Sequence, residues 1–211
     1  MLNERPSLEI LYEDEWFAVI NKPANCLSVP GRGADKLDSI LHRAECLFGE
    51  AFAIHRLDEA TSGLILVAKT HECQKRMYAH FREREVQKEY RALLRGHLLG
   101  EKGEVRKPLR CDWPNRPRQI ICTGEWSKDS ITYWEKMAYE NNTTRVRLVP
   151  FTGRSHQLRV HMQSLGHSII GDEFYDPDYQ HDPRLLLHAY RLEFRHPFTN
   201  AWVAFVAACP F

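Results

Sequence analysis

Residues 55–68 constrain this chain more than any other stretch. A polar loop, His55-Arg56-Leu57-Asp58-Glu59-Ala60-Thr61-Ser62, passes through Gly63 straight into the apolar run Leu64-Ile65-Leu66-Val67-Ala68. That run has the length and residue types of a buried strand. A loop feeding such a strand is fixed at one end to rigid structure, and this one carries an Asp beside a His, an Arg and two hydroxyl residues. A fold that must hold one carboxylate in place for chemistry would use such a loop. For a lone Asp in a loop the ordinary role is an N-cap or Asx-turn, and for His55 and Arg56 it is solvated surface. The abrupt junction with the strand weighs against both.

The rest of the chain alternates short strands with a few helices. Ile10-Leu11-Tyr12 and residues 16–20 read as strands around the acidic corner Glu13-Asp14-Glu15, and lead into Asn21-Lys22-Pro23, a turn by composition. Residues 35–48 read as an amphipathic helix with Leu37, Ile40, Leu41, Ala44, Leu47 and Phe48 in one stripe, Asp35 as N-cap and Gly49 just past the end. Thr70 caps a second helix reaching Glu85, with Cys73, Met77 and Phe81 spaced at four. Residues 86–95 alternate, placing Val86, Lys88, Tyr90, Ala92 and Leu94 on one side. For Tyr90 the ordinary reading is a core aromatic. Residues 130–139 and 143–150 flank the turn Glu140-Asn141-Asn142, and residues 185–194 and 202–207 flank another at 196–200. Residues 153–165 read as a helix closed by Gly166. Residues 102–121 hold three prolines and little periodicity, and read as a long loop, a feature often functional inside a domain. Strands outnumber helices and neighbours are linked by hairpins, so the fold class is α+β with a mixed, mainly antiparallel sheet. With no repeat and no Pro/Gly/Ser linker, one domain spanning 1–211 is expected.

Composition removes several function classes. No run approaches the roughly 18 apolar residues of a spanning helix, and the first residues lack a signal-peptide core, so a cytoplasmic protein without membrane attachment is expected. The six cysteines contain no C-x-x-C pair and fit independent reduced thiols. His156 and His161 stand five apart with no H-E-x-x-H around them, so no metal is expected. Nucleotide-binding glycine motifs and a G-x-S-x-G elbow are both missing. Net charge is only +1, yet 20 of the 29 cations are Arg, the side chain suited to bidentate phosphate contact and base stacking. Between residues 102 and 121, six cations against Glu104 and Asp112 leave a local charge of +4. On charge alone this is a solvated loop; with a nucleic-acid substrate it would meet the backbone. In residues 151–162, Arg154, His156, Gln157, Arg159 and His161 crowd polar donors near the start of the predicted helix. An anion would be received there, and an Arg-rich solvated face is the plain alternative.

Taken together, these segments resemble the RluA family of pseudouridine synthases. The pieces are Asn21-Lys22-Pro23; His55-Arg56-Leu57-Asp58 with Thr61-Ser62-Gly63; Lys88-Glu89-Tyr90; and Thr152-Gly153-Arg154-Ser155-His156-Gln157-Leu158-Arg159-Val160-His161. Ile170-Gly171-Asp172 and Leu185-Leu186-Leu187-His188-Ala189 also match, in the family's order over nearly the whole chain. Cys111-Asp112-Trp113-Pro114-Asn115-Arg116-Pro117 narrows the resemblance to the short members that act on both ribosomal and transfer RNA. The chain enters the catalytic region at once, so no S4 domain is expected. The family commonly has a Gly shortly after the Asn-Lys-Pro turn. Here the chain reads Ala24-Asn25-Cys26-Leu27, and Asn tolerates the left-handed conformation a Gly would supply.

The resemblance implies an isomerase without cofactor, turning uridine in RNA into pseudouridine. Its implied targets are uridine 746 of 23S rRNA and uridine 32 in the tRNA anticodon loop, with no protein partner and a monomeric state. It makes Asp58 the catalytic carboxylate, acting at C1′, through a glycal after deprotonation at C2′, or at C6 of the base. Arg154 is its ionic partner, offsetting the burial of the carboxylate under a bound base. Tyr90 lies against the uracil face and takes part in removing the C5 proton. Arg56, and less directly His55, fill the space left by a flipped base. Arg116 and Arg118 contact the RNA backbone. Two other classes compete: a non-catalytic RNA-binding relative of the same fold, and a carboxylate-based nucleoside hydrolase. The latter would need a second carboxylate, for which Glu59 is the nearest in sequence.

Overall fold

The apolar run after Gly63 forms the strand it predicts. In the computed structural model, which describes residues 7–33 and 36–211, Ser62–Ala68 is a strand buried at every position. The chain builds two compact units. One comprises the described residues up to Gln87 together with Ala189–Pro210; the other comprises Lys88–His188 with Phe211.

In the first unit, β1 (Ile10–Glu13) and β2 (Phe17–Lys22) form an antiparallel hairpin around Asp14. The corner is closed by the Asp14 carboxylate, which accepts the amide N–H groups of Trp16 (2.8 Å) and Phe17 (2.9 Å). β2 pairs antiparallel with β4 (Ser62–Ala68), which also carries the short β3 (Phe52–Ala53). β11 (Leu187–Arg195) adjoins β4, and β12 (Trp202–Val206) pairs antiparallel with β11. Gly63 permits this junction: its φ is +106°, and a Cβ there would collide with the backbone carbonyl and amide of Ala189. Phe17, Val19, Leu64, Leu66, Leu192 and Phe194 supply one core face, against which α2 (His71–Glu83) packs Cys73 and Met77. Thr70 caps α2 as predicted, its hydroxyl accepting the Cys73 amide at 3.2 Å.

The predicted 35–48 helix is shorter. α1 spans Ile40–Phe48, capped by Ser39 at the start and Gly49 at the end. Asp35 lies outside the described residues. The delayed start has a physical cause: Ser39 is bridged to Leu27, and the first amides of the helix, Ile40 and Leu41, donate to the carbonyls of Leu27 and Ser28. Only Ile40 and Ala44 of the expected stripe are buried.

In the second unit, β5 (Gln87–Arg95, from Lys88 on), β10 (Thr143–Pro150), β9 (Ile131–Glu140) and β6 (Lys102–Arg106) lie side by side in that order, each pair antiparallel. Asn141, at φ +54°, makes the predicted β9–β10 turn. The long loop expected at 102–121 is corrected. It contains β6 and a separate hairpin of β7 (Leu109–Cys111) and β8 (Gln119–Ile121), joined through a single 3-10 turn at Trp113–Asn115. Its prolines all stand outside the strands, where no ladder N–H is needed. α3 (Gln157–Gln163) starts four residues after the predicted point. The architecture is α+β with mainly antiparallel sheet. Among the described residues, no helix is long and apolar enough to cross a membrane.

Candidate active site

Four anchors set the geometry of the Asp58 loop, and they fall on residues 55, 57, 59 and 61. His55 accepts the Leu66 amide on Nε2 at 3.0 Å, and its ring stacks on Phe81 with centroids 4.9 Å apart. Leu57 is clasped by Ser28: the Ser28 hydroxyl accepts the Leu57 amide (3.0 Å) and donates to the Leu57 carbonyl (2.7 Å). The Glu59 carbonyl accepts from the Lys22 ammonium (2.8 Å) and from the Cys26 amide (3.2 Å). Thr61 donates its amide to the Asp58 carbonyl at 3.0 Å, closing a turn. Between these anchors lie Arg56, exposed, and Asp58, half-buried. The carboxylate of Asp58 thus stands on backbone held from both sides.

Lys22 is the anchor of this loop that reading Asn21-Lys22-Pro23 as a turn misses. It is wholly buried, and its three N–H bonds go to the carbonyls of Pro23 (3.0 Å), Cys26 (2.6 Å) and Glu59 (2.8 Å). It ties the end of β2 to the residue next to Asp58. A signal was present in the sequence: continuing the strand alternation from Ile20 places Lys22 on an inward position. Asn25, at φ +56°, adopts the left-handed conformation that the sequence reading allowed it. Burial pushes the thiol of neighbouring Cys26 above its ordinary pKa, so it packs as an inert group.

In the second unit, Tyr90 is half-buried on β5 opposite Leu148 of β10. The alternate face of β5 carries Glu89, which accepts from Arg91 (2.6 Å) and Arg147 (2.7 Å). Lys88 shares the Tyr90 face and reaches Gly153, where an added Cβ would stand 3.7 Å from its Nζ. Arg154 follows Gly153. Its side chain is exposed and donates from Nε to the Asp129 carbonyl at 3.1 Å.

What sets Arg154 in place is Gln157. Its Oε1 accepts the Thr152 hydroxyl (2.7 Å) and the Arg154 amide (3.0 Å), and its Nε2 donates to the Ile131 carbonyl (2.9 Å) and Thr132 hydroxyl (3.0 Å). All four capacities of the amide are used, in a residue only 3% exposed. The expectation of a donor cluster open to an anion at the start of this helix is therefore corrected. His156 takes a left-handed conformation (φ +51°), and its Nδ1 lies 2.7 Å from the Tyr175 hydroxyl. Arg159 forms a buried bidentate pair with Asp172 at 2.7 and 2.8 Å. His161 is enclosed by Thr132, Ser130 and the Lys107 carbonyl. Of the five polar residues, only Arg154 faces solvent. Arg116 and Arg118 are exposed on the β7–β8 hairpin, over the rings of Trp113 and Phe174 respectively.

Comparison with known proteins gives these positions a context. Residues 16–164 match the model of the family described as RNA pseudouridylate synthase. The chain is 51% identical over 205 residues to the dual-specificity RNA pseudouridine synthase RluA of Pasteurella multocida, covering 96% of this chain and 93% of that protein. To the protein of the same name from Escherichia coli K12 it is 47% identical over 211 residues, covering 99% and 96%. Among solved structures it is similar to human RNA Pseudouridylate Synthase Domain Containing 1, with a TM-score of 0.80 and 29% identity over 97% of this chain and 84% of that one. On this evidence the chain belongs to the RNA pseudouridylate synthase family, isomerases that convert uridine in RNA to pseudouridine.

Proposed function

We propose that this enzyme has dual specificity, converting uridine 746 of 23S rRNA and uridine 32 of the tRNA anticodon loop to pseudouridine in the cytoplasm. The observation that carries the reading is the Asp58 loop, whose backbone is held on both sides of a half-buried carboxylate. The dual-specificity relatives, similar over nearly the whole chain, support the substrate class.

The reaction breaks the N1–C1′ bond, turns the uracil and joins C5 to C1′; the C5 proton is lost and N1 gains one, so nothing is consumed. Asp58 supplies the carboxylate, either as nucleophile at C1′ or as base at C2′. Its fixed backbone holds it in place before the RNA arrives, which lowers the ordering cost of reaching the reactive geometry. Tyr90 lies against the uracil and assists departure of the C5 proton. Arg154 supplies the counter-charge in the substrate complex. Flipping the target base costs a few kcal/mol, less in a loop than in a duplex. Exposed Arg56, whose planar guanidinium can stack where a base stood, offsets part of that cost. His55 acts behind it by fixing the loop, while Arg116 and Arg118 meet the RNA backbone.

The test is pseudouridine formation in an anticodon stem-loop and in a 23S rRNA fragment, with the binding constant measured alongside. Asp58→Asn is expected to abolish turnover in both RNAs and to leave binding within about threefold. Turnover by Asp58→Asn, or parallel loss of binding and turnover, would overturn the assignment.

A further inference from the structure

The β7–β8 hairpin presents an aromatic ring to solvent on a rigid base. Its root is fixed: Leu109 is buried beside Val160 and Tyr175, the Gln119 amide donates to the Tyr175 hydroxyl at 2.7 Å, and the Cys122 amide donates to the Pro108 carbonyl at 3.1 Å. Its tip is closed by backbone bonds from Asp112 to Arg118 (2.9 Å), Asn115 to Asp112 (3.0 Å) and Arg118 to Asn115 (3.0 Å). The Asp112 carboxylate is spent inside the tip, accepting the Asn115 side-chain amide at 2.9 Å.

On this frame Trp113 is 64% exposed. A tryptophan carries enough apolar area that a fold ordinarily buries it, and this one sits on an ordered turn. The Arg116 guanidinium lies 4.3 Å from the ring centroid and braces it. The surroundings are cationic: Arg110, Arg116 and Arg118 against Asp112 give the hairpin a charge of +2. An exposed indole in a field of arginines is what an unstacked base with its phosphates would bind, since every base has a π-face and the phosphates follow the guanidinium groups. A protein partner would have to bring carboxylates to all three arginines, whereas an RNA backbone supplies a negative charge at every nucleotide.

We propose that Trp113 is a base-stacking subsite: it takes an unpaired nucleobase of the single-stranded RNA loop, with Arg116 holding the ring in place. The subsite rests on the RNA-modifying function proposed above and adds a contact that does no chemistry. It fits an enzyme acting on two RNAs of different sequence, because stacking tolerates any base.

Full-length enzyme and an anticodon stem-loop RNA test this. Trp113→Ala is expected to raise Kd and KM about tenfold with kcat unchanged, and Trp113→Phe to stay within about threefold of wild type. RNA is expected to quench tryptophan fluorescence in wild type, and part of that quench to vanish in Trp113→Phe while binding persists. Unchanged melting temperatures would show that the exposed ring serves no folding role. If Trp113→Ala binds like wild type, or the full quench survives in Trp113→Phe, the subsite is overturned while pseudouridine formation stands. If wild-type enzyme neither binds nor converts the RNA, the functional reading falls and the subsite falls with it.

Discussion

A lysine with no exposed surface must give each N–H bond an acceptor, because a buried donor or acceptor left unpaired costs about 1–3 kcal/mol. Lys22 meets that demand with three carbonyls, one belonging to the residue after Asp58. The same bonds that make its burial tolerable thus hold the Asp58 loop. Lys22→Met keeps the length of the side chain and removes the donors, so the Pro23, Cys26 and Glu59 carbonyls lose that partner. The expected outcome is a loss of about 2–4 kcal/mol in unfolding free energy by urea titration. With it we expect a drop in single-turnover rate of about tenfold or more, with RNA affinity nearly unchanged, because the loop is displaced and the arginines proposed to contact RNA are not. A stability loss with an unaltered rate constant would show that Lys22 holds the fold but not the geometry of Asp58. At this scale the fixed loop that carries Asp58 was legible, because it abuts an apolar run. The sequence hid Lys22, because composition labels a charged residue before Pro as a turn, and only the strand alternation betrays its inward direction. Gln157 was hidden in the same way among the polar residues around it.

Elements were legible where the sequence carried a clear apolar run or alternation, as at β4, and opaque where it carried neither. β9 and β10 alternate over ten and eight residues, and their turn has asparagines that tolerate the left-handed conformation. The hairpin of β7 and β8 is built from three-residue strands around prolines, too short for any periodicity to emerge. Its misreading as a loop still preserved its charge. As a rooted hairpin rather than a mobile loop, it holds Arg116 and Arg118 at fixed spacing, so both should reach phosphates in the same complex. Replacing both with Ala should weaken binding and lower the slope of log K against log salt by about 1.4–1.8, at 0.7–0.9 per phosphate contact. Titrations of stem-loop binding between low and moderate salt give the slope directly; an unchanged slope would remove the hairpin from the RNA interface.

At the scale of the whole molecule, the α+β class followed from strand alternation and hairpin spacing, whereas the two units could not be read from the sequence. No linker marks them, because residues 189–210 return to the first unit and the boundary runs through strands. Both units carry titrating groups whose environment disfavours the protonated form, Asp14 in the first and His161 in the second among them. In the second unit burial is the chief force lowering His161 below the ordinary 6.5, partly opposed by its hydrogen bond to the Lys107 carbonyl. That carbonyl can only accept, so Nε2 carries the proton and Nδ1 accepts from Thr132. In the first unit burial pushes Asp14 upward, but the Phe17 amide, His196, the Trp16 amide and Tyr12 outweigh it, leaving the carboxyl below 3.8. Both folded values are depressed, so as pH falls the unfolded chain takes up each proton first and stability falls with it. The contribution of His161 is complete above about pH 6.5 and is lost as pH drops through its folded value; that of Asp14 is lost below about pH 3.8. Each proton contributes at most about 1.4 kcal/mol per pH unit. Urea midpoints measured from pH 8 to about pH 3 should therefore be flat above neutrality and decline below about 6.5. In His161→Gln, whose amide can donate to the Lys107 carbonyl and accept from Thr132 without titrating, the decline beginning near 6.5 should shrink. The steeper loss in stronger acid should remain, because Asp14 is untouched. A wild-type midpoint that rises on acidification from pH 7 to pH 5.5 would contradict the buried neutral state of His161.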